Sequence, residues 1–374
     1  MGLEIREVKI GVERKTFIFL PEKLHAGQAN WVHPIYMDEK KYYDPRKNKA
    51  FEYCDVGMWL AYRDGRAVGR IMGIINRRFN AHRKEDIARF ANFECLEDRE
   101  IFQALVRTVE DWARARKATR IIGPYGFSDQ DPEGWITQGF EHRATIATYY
   151  NFEWTPRFIE EMGYGKDVDY FVYKIPVPKE MPELYTKVFE RTMRRGSFVL
   201  HEFTRRKDLK PWVVPIFTLM NECYVNSNIY GYAPLSEKEM QDLAKRYLPV
   251  VDPRFVKLVT KDGEPASFVI AMPDMTEGIQ KARGRLLPFG FLKILGASKK
   301  TKQLDLLLGA IKMSHRGVGL DAVMGYAMFR SAMAAGMEFM DTHHELESNE
   351  KVRAEMIRQG GVVYKKFRVW TKPL

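Results

Sequence analysis

The feature of this 374-residue chain that most restricts its fold is that its two halves repeat one another. Gly57 to Ile75 (GMWLAYRDGRAVGRIMGII) is an apolar run, a charged Asp64–Gly65 turn and a second apolar run. Phe255 to Met272 (FVKLVTKDGEPASFVIAM) has the same layout around Asp262–Gly263. Each stretch reads as a β-hairpin, because glycine supplies the positive φ that a tight hairpin turn requires. After each hairpin come an apolar strand candidate, a long amphipathic helix, another strand, a short helix ending in glycine and a last strand. In the first half the helix is Glu100–Lys117, with Ile101, Leu105, Val109 and Trp112 on one face at helical spacing. Strand Arg120–Gly123, a short helix near Pro156–Met162 and strand Tyr170–Ile175 follow. The second half gives helix Leu320–Ala335, strand Glu338–His344, helix Asn349–Gln359 and strand Val362–Trp370. Gly163 follows Gly65 by 98 residues and Gly360 follows Gly263 by 97. An ordered series at matched spacing predicts a duplication, and the prolines of Pro176–Pro182 (PVPKEMP) mark the boundary. The expected architecture is α+β (mixed α/β), with tandem domains over 1–176 and 177–374. Each would be a twisted, mainly antiparallel sheet with helices on both faces.

The length suits two domains, and 45% hydrophobic with 29% charged residues is the composition of a soluble globular protein. An aromatic share of 13% excludes a largely disordered chain. No stretch approaches the roughly 18–20 apolar residues of a membrane helix. The start, MGLEIREVKIGVERK, has no signal-peptide core, so a cytoplasmic location is expected. Cys54, Cys95 and Cys223 lie far apart without paired spacing, which argues against a disulfide framework or a cysteine zinc site. Each reads as a small buried apolar residue. The net charge of +11 favours anionic partners such as nucleotide phosphates, nucleic acid or acidic membrane. It thickens at Arg191–Arg195, Arg205–Lys207 and Lys299–Lys302, runs that read first as solvated faces. There is no zinc-finger spacing and no aromatic-studded RNA-binding signature, so no DNA partner is expected.

The most chemical stretch is Leu304 to Met324 (LDLLLGAIKMSHRGVGLDAVM). An apolar strand candidate runs into Ser314-His315-Arg316-Gly317-Val318-Gly319, and a helix begins at once. Glycines at a strand-to-helix junction let backbone N–H groups converge on an anion, and the helix N-terminus adds partial positive charge. Arg316 places a full charge at the same point. Here the sequence resembles the GNAT superfamily (GCN5-related N-acetyltransferases), whose R/Q-x-x-G-x-G/A loop cradles the coenzyme A pyrophosphate. Arg316 and Gly319 match it, and Asp321 stands where the family usually has Gly or Ala. Glu347-x-Asn349, followed by a helix and Gly360-Gly361, looks like the family's next motif. The resemblance covers about Phe198–Trp370 well and Ile5–Ile175 more loosely. It implies two GNAT-like domains and coenzyme A or acetyl-CoA as co-substrate. It also implies cofactor contacts from Ala310, Ile311, Met313, His315, Arg316, Gly317, Val318, Gly319, Leu320 and Asn349. The first half lacks the loop: Cys95–Glu100 has no glycine and is rich in acid, so that half reads as a degenerate copy.

The implied activity is transfer of an acyl group from acyl-CoA to an amine, small-molecule or lipid, by direct attack in a ternary complex. In the family the carbonyl is bound by backbone N–H groups, a carboxylate or histidine removes the amine proton, and a tyrosine protonates the thiolate. Met356 occupies the position of that tyrosine; Tyr326 and Tyr364 are substitutes by type. Strand alternation through Asp341-Thr342-His343-His344-Glu345-Leu346-Glu347 would put Asp341, His343, Glu345 and Glu347 on one face. His343, Glu345 and Glu347 are the catalytic candidates, with Glu347 or His343 as base, against the reading of a polar strand end facing water. Nothing else supports a metal there and none is expected. Residues 286–296 (LLPFGFLKILG), followed by Lys299, Lys300 and Lys302, fit a buried connector, a lid over a long acyl chain or a surface touching anionic lipid. The fold family also hosts lipid N-acyltransferases and aminoacyl-tRNA-dependent transferases, and a non-catalytic acyl-CoA-binding protein is a further alternative.

Overall fold

A computed structural model describes residues 2–9, 11–227 and 229–374. The strands, in chain order, are β1 Glu4–Glu7, β2 Cys54–Arg63, β3 Arg66–Asn76, β4 Ile87–Cys95, β5 Arg120–Gly123, β6 Trp135–Gln138 and β7 Gly165–Pro176. They continue with β8 Phe198–Glu202, β9 Val256–Lys261, β10 Glu264–Pro273, β11 Gln303–Ile311, β12 Phe339–Asp341, β13 Glu345–Leu346 and β14 Val362–Pro373. The fold is mixed α/β, with mainly antiparallel sheet. Both expected hairpins are present, β2–β3 and β9–β10. Their turns hold Asp64 at φ 51° and Gly65 at 73°, and Asp262 at 52° and Gly263 at 84°, the doubly left-handed geometry that suits the twist of paired strands.

The chain divides into two compact units, but not at one cut. Unit 1 is Met1–Phe171, Met275–Ala297 and Tyr364–Leu374; unit 2 is Val172–Asp274 and Ser298–Val363. The linear split at 176 differs from this because each half's last strand completes the other unit's sheet. In unit 1 the order is β1-β2-β3-β4-β5, closed by β14, whose Trp370–Pro373 pairs antiparallel with Gly123–Arg120 of β5. In unit 2 it is the end of β7, then β12-β11-β10-β9-β8, with Ile175 opposite Met340.

Both faces of the unit 1 sheet are covered. Along β3, Ile71 and Ile75 join the core under helix Arg99–Arg114, while Met72 and Ile74 join a second core with Phe17, Ile18 and Leu20 of helix Val12–Leu24. Strand alternation assigns the faces, and each fully buried Leu, Ile or Phe contributes roughly 1.5–3 kcal/mol. In unit 2, Leu320, Val323 and Met324 of helix Leu320–Ala334 pack with Val259, Ala266 and Phe198. All three cysteines are buried, and burial pushes the Cys54 thiol up to about 12, so they are packing residues as expected. Among the described residues no helix is long and apolar enough to cross a membrane.

Candidate active site

In unit 2 the central strand β11 is built to be half used. It pairs with β10 from Leu304 to Ile311, but parallel with β12 only over Gln303–Asp305. Beyond Asp305 the two neighbours splay, and among the described residues the β12 side of Leu306–Ile311 carries no strand. This sequence is apolar, yet Leu306–Leu308, Ala310 and Ile311 are only half-buried and Gly309 is exposed. An apolar central strand with unpaired backbone and uncovered side chains has the form of a ligand cleft. A β-bulge at Ile270–Ala271 of β10 bends the hairpin beside it.

The open edge leads into the glycine loop. Met313–His315 forms a short 3₁₀ turn, and Gly317 and Gly319 adopt φ 79° and 96° before helix Leu320–Ala334. No side chain caps that helix, so its first N–H groups face outward. Arg316 is anchored: its Nη2 donates to Ser227 Oγ (2.9 Å) and its Nε to the Ile311 carbonyl (3.3 Å). Thr192 Oγ1 donates to the Val318 carbonyl (3.2 Å) and fixes the loop from the other side. Met313, Arg316, Gly317 and Val318 are exposed, while the Leu320 side chain is in the core and offers only its backbone N–H. Asp321 is 4.0 Å from Arg358, which offsets part of its charge beside the loop. These residues fit a diphosphate followed by a pantetheine arm. Asn349 precedes helix Glu350–Arg358 without a side-chain capping bond, which leaves its amide available.

The base candidates lie beyond the end of β12. The strand stops at Asp341 and His343 takes φ 54°, so the alternation expected through Glu347 does not hold. The cause is local: Thr342 Oγ1 and N both bond Tyr173, and the Asp341 carboxylate accepts the His343 N–H (2.7 Å), turning the chain. The turn brings His343 Nδ1 to 3.2 Å from Asp341 Oδ1, in an orientation alternation would not have produced. Asp341 is wholly buried and lies in register with buried Asp305. Burial holds the Asp305 carboxyl well above the ordinary carboxylate range, with nearby Asp341 and Asp274 adding to the rise and His343 opposing it. Glu345 is half-buried, and desolvation pushes its carboxyl from 4.5 up to about 8 against the opposing pull of His343. Glu347 is half-buried, and its carbonyl accepts from Arg353 (2.9 Å). Among the described residues no group of three or more His, Cys, Asp and Glu could hold a metal ion.

The raised carboxyl has a consequence for stability. Between pH 4.5 and about 8, folded Glu345 keeps a proton that the unfolded chain has released, so its contribution becomes less favourable as pH rises through that window. Glu345→Gln removes this titration. In thermal melts the variant should gain on wild type from pH 5 to pH 8, and a constant difference would show that the carboxyl is not held protonated.

Neither substitute for the missing tyrosine stands ready as an acid. Tyr326 stacks on Phe189 (4.3 Å), and Tyr364 belongs to unit 1, where it packs on His142 (4.8 Å). Half-buried Met356 has no proton to give.

Unit 1 has the same splay, with β4 parallel to β5 over only Ile87–Arg89, but the opening is filled from within. Tyr125 N–H bonds the Phe90 carbonyl (2.9 Å), Tyr149 bonds Asn92 (3.1 Å), and His25 Nε2 is 2.6 Å from Glu94. The His25 ring is sandwiched between Trp31 and Phe152. Where an anion would sit, Asp98 caps helix Arg99–Arg114, accepting from Glu100 and Ile101 N–H groups. A cleft of about 410 Å³ opens beside it, with Glu97 and Glu153 in its wall. These interior polar groups escaped the sequence reading, as did Arg89, which is 1% exposed, donates to the Gly126 and Phe127 carbonyls and lies over the Phe79 and Tyr125 rings. A signal existed: an arginine inside the apolar strand IARFANFEC must find partners if the strand is buried.

No family model matches the chain. It is 30% identical over 386 residues to the bacterial ceramide synthase of Caulobacter vibrioides (strain NA1000 / CB15N), covering 100% of this chain and 98% of that protein. It is 22% identical to Protein YghO of Escherichia coli (strain K12), over 96% of this chain and 93% of that one. Among solved structures, a tandem GNAT protein from the clavulanic acid biosynthesis pathway superposes with a TM-score of 0.56 at 13% identity, over 100% of this chain and 98% of the other. A GCN5-related N-acetyltransferase from Sphaerobacter thermophilus gives 0.52 at 14% identity, over 99% and 95%. The structures establish the fold, duplication included, and the full-length identity establishes kinship. The chain is a tandem GNAT-fold acyltransferase and belongs to the family of the Caulobacter vibrioides bacterial ceramide synthase.

Proposed function

We propose that this protein transfers an acyl group from acyl-CoA to the amine of a long-chain lipid base, as in ceramide formation. The observation that carries the acyl-CoA reading is the bare, apolar edge of Leu306–Ile311 leading directly into the uncapped loop at Arg316–Gly319. The lipid reading is supported by full-length similarity to a protein named for ceramide synthesis. Coenzyme A is assigned to unit 2 alone, because in unit 1 Asp98 already occupies the helix N-terminus and the neighbouring cleft is acidic.

The bound acyl donor supplies the reactive thioester; the chain's own residues do the rest. Loop N–H groups and Arg316 hold phosphate oxygens. The free N–H groups of β11 orient the arm and steady the carbonyl oxygen as negative charge grows on it. His343, its Nδ1 lying 3.2 Å from Asp341 Oδ1, is placed to take the proton from the attacking amine. Near neutral pH Glu345 is a neutral neighbour of that imidazole, which leaves it a lesser role than base. Met356 offers no proton, so the thiolate leaves unprotonated or takes one from water.

The test combines calorimetry and turnover. Acyl-CoAs of graded chain length are titrated into wild type and Arg316→Glu, and amide formation is followed by mass spectrometry with a long-chain amino alcohol or short amines as acceptor. Binding lost in Arg316→Glu, with turnover confined to the long-chain base, is expected. Turnover of short amines only would replace the lipid reading, and no binding to any acyl-CoA would remove the donor.

A further inference from the structure

We propose that the helix Gly290–Lys300, with residues 286–289 before it, seats this protein on the surface of an anionic lipid bilayer. The argument does not depend on which amine is acylated. The helix is attached by one face. A Cβ on Gly278 would lie 2.5 Å from the Ile294 Cα and 2.9 Å from the Ala297 Cβ, so helix Thr276–Lys281 meets it backbone to backbone. Gln280 donates to the Ala29 and Trp31 carbonyls (2.7 and 3.2 Å), and Arg285 pairs with Glu22 (2.9 Å), which ties the insertion into unit 1. Gly290, Ile294 and Ala297, spaced by four and three residues, form the attached stripe.

The other face is apolar and in water. Leu287 is 76% exposed, Phe289 68%, Phe291 43%, Leu292 53% and Leu295 50%. A buried connector, one of the readings the sequence allowed, is thereby excluded. Five large apolar side chains within nine residues are an interaction surface rather than scattered exposure. The segment's own charge is of one sign: from Gly278 to Leu304 there are seven lysines and arginines and no carboxylate. Lys281 and Arg285 have acidic partners. Among the described residues Arg283, Lys293, Lys299, Lys300 and Lys302 make no ion pair. A cationic rim around an apolar face repels a second copy of itself and attracts anionic headgroups. The geometry is that of an interfacial helix, lying in the headgroup layer with Leu and Phe pointing into the acyl region.

The experiment uses the full chain and sedimentation with vesicles of phosphatidylethanolamine and phosphatidylglycerol, or of phosphatidylcholine alone. Wild type is expected to bind the anionic vesicles at least roughly ten-fold better, less so as salt rises. Leu292→Asp/Leu295→Asp and, separately, Lys293→Glu/Lys299→Glu/Lys300→Glu should each lose roughly ten-fold or more at an unchanged melting temperature, since every altered side chain is exposed. The proposal is overturned if wild type ignores anionic vesicles at low salt, or if the apolar variant binds as wild type does. It is also overturned if sedimentation equilibrium shows a dimer that the same variant dissociates, which would make the face a contact between copies.

Discussion

Replacing His343 by alanine is expected to lower kcat roughly 10²–10⁴-fold, the usual range for loss of a positioned proton acceptor. The melting temperature and the KM for the acyl donor should change little, because the loop at Arg316–Gly319 and its anchors Ser227 and Thr192 are untouched. The variant is a clean one: His343 already holds φ 54°, so alanine inherits the backbone strain rather than adding to it. Single-turnover amide formation with saturating donor is the measurement. A loss under roughly ten-fold would take proton transfer away from His343 and return it to Glu347. Asp341→Asn provides the companion result. If the carboxylate only orients the imidazole, kcat falls less than in His343→Ala while donor affinity stays constant.

The second large effect is predicted at Gly319. Its φ of 96° is left-handed, and a Cβ there would stand 2.5 Å from Thr192 Oγ1 and 3.1 Å from Val188 Cγ1. Gly319→Ala must therefore move the first turn of helix Leu320–Ala334, whose uncapped N–H groups are the proposed phosphate donors. Each hydrogen bond to a charged group is worth about 1.5–3 kcal/mol, so losing one misplaces affinity by roughly 10–100-fold. Gly317→Ala is the control: its φ of 79° carries strain, but the space around it is open. Calorimetry with coenzyme A should rank wild type above Gly317→Ala and Gly317→Ala above Gly319→Ala. Equal affinity for all three would place the diphosphate elsewhere.

What was legible in the sequence is what local chemistry decides. The Asp-Gly turns, the amphipathic helix over 100–117 (observed Arg99–Arg114) and the strand-loop-helix at 304–324 are written in nearest neighbours, and all formed. What was not legible depends on partners far away in the chain. Asp341 and His343 meet because Tyr173 bonds Thr342, across 169 residues, and stops the alternation. The anchors of Arg316 and Val318, Ser227 and Thr192, lie 89 and 126 residues from them and carry no motif. The exchange of last strands escaped for the same reason: Tyr170–Ile175 and Val362–Trp370 read as strands, but nothing in a strand names the edge it will join. The apolar segment at 286–296 was ambiguous because composition cannot say which side of a helix meets water.

The position of β14 sets an order on biosynthesis. Unit 1 begins within the first ten residues of the chain, but its sheet is closed by Tyr364–Leu374, and Trp370, with no exposure at all, fills its core beside Trp135. Those residues are translated only after the whole of unit 2. Unit 1 therefore waits, with the edge of β5 and the pocket for Trp370 open, while unit 2 is made. It is a natural client for chaperones that bind nascent apolar surface, and a message cut short before the final strand yields a protein whose defect appears at its beginning.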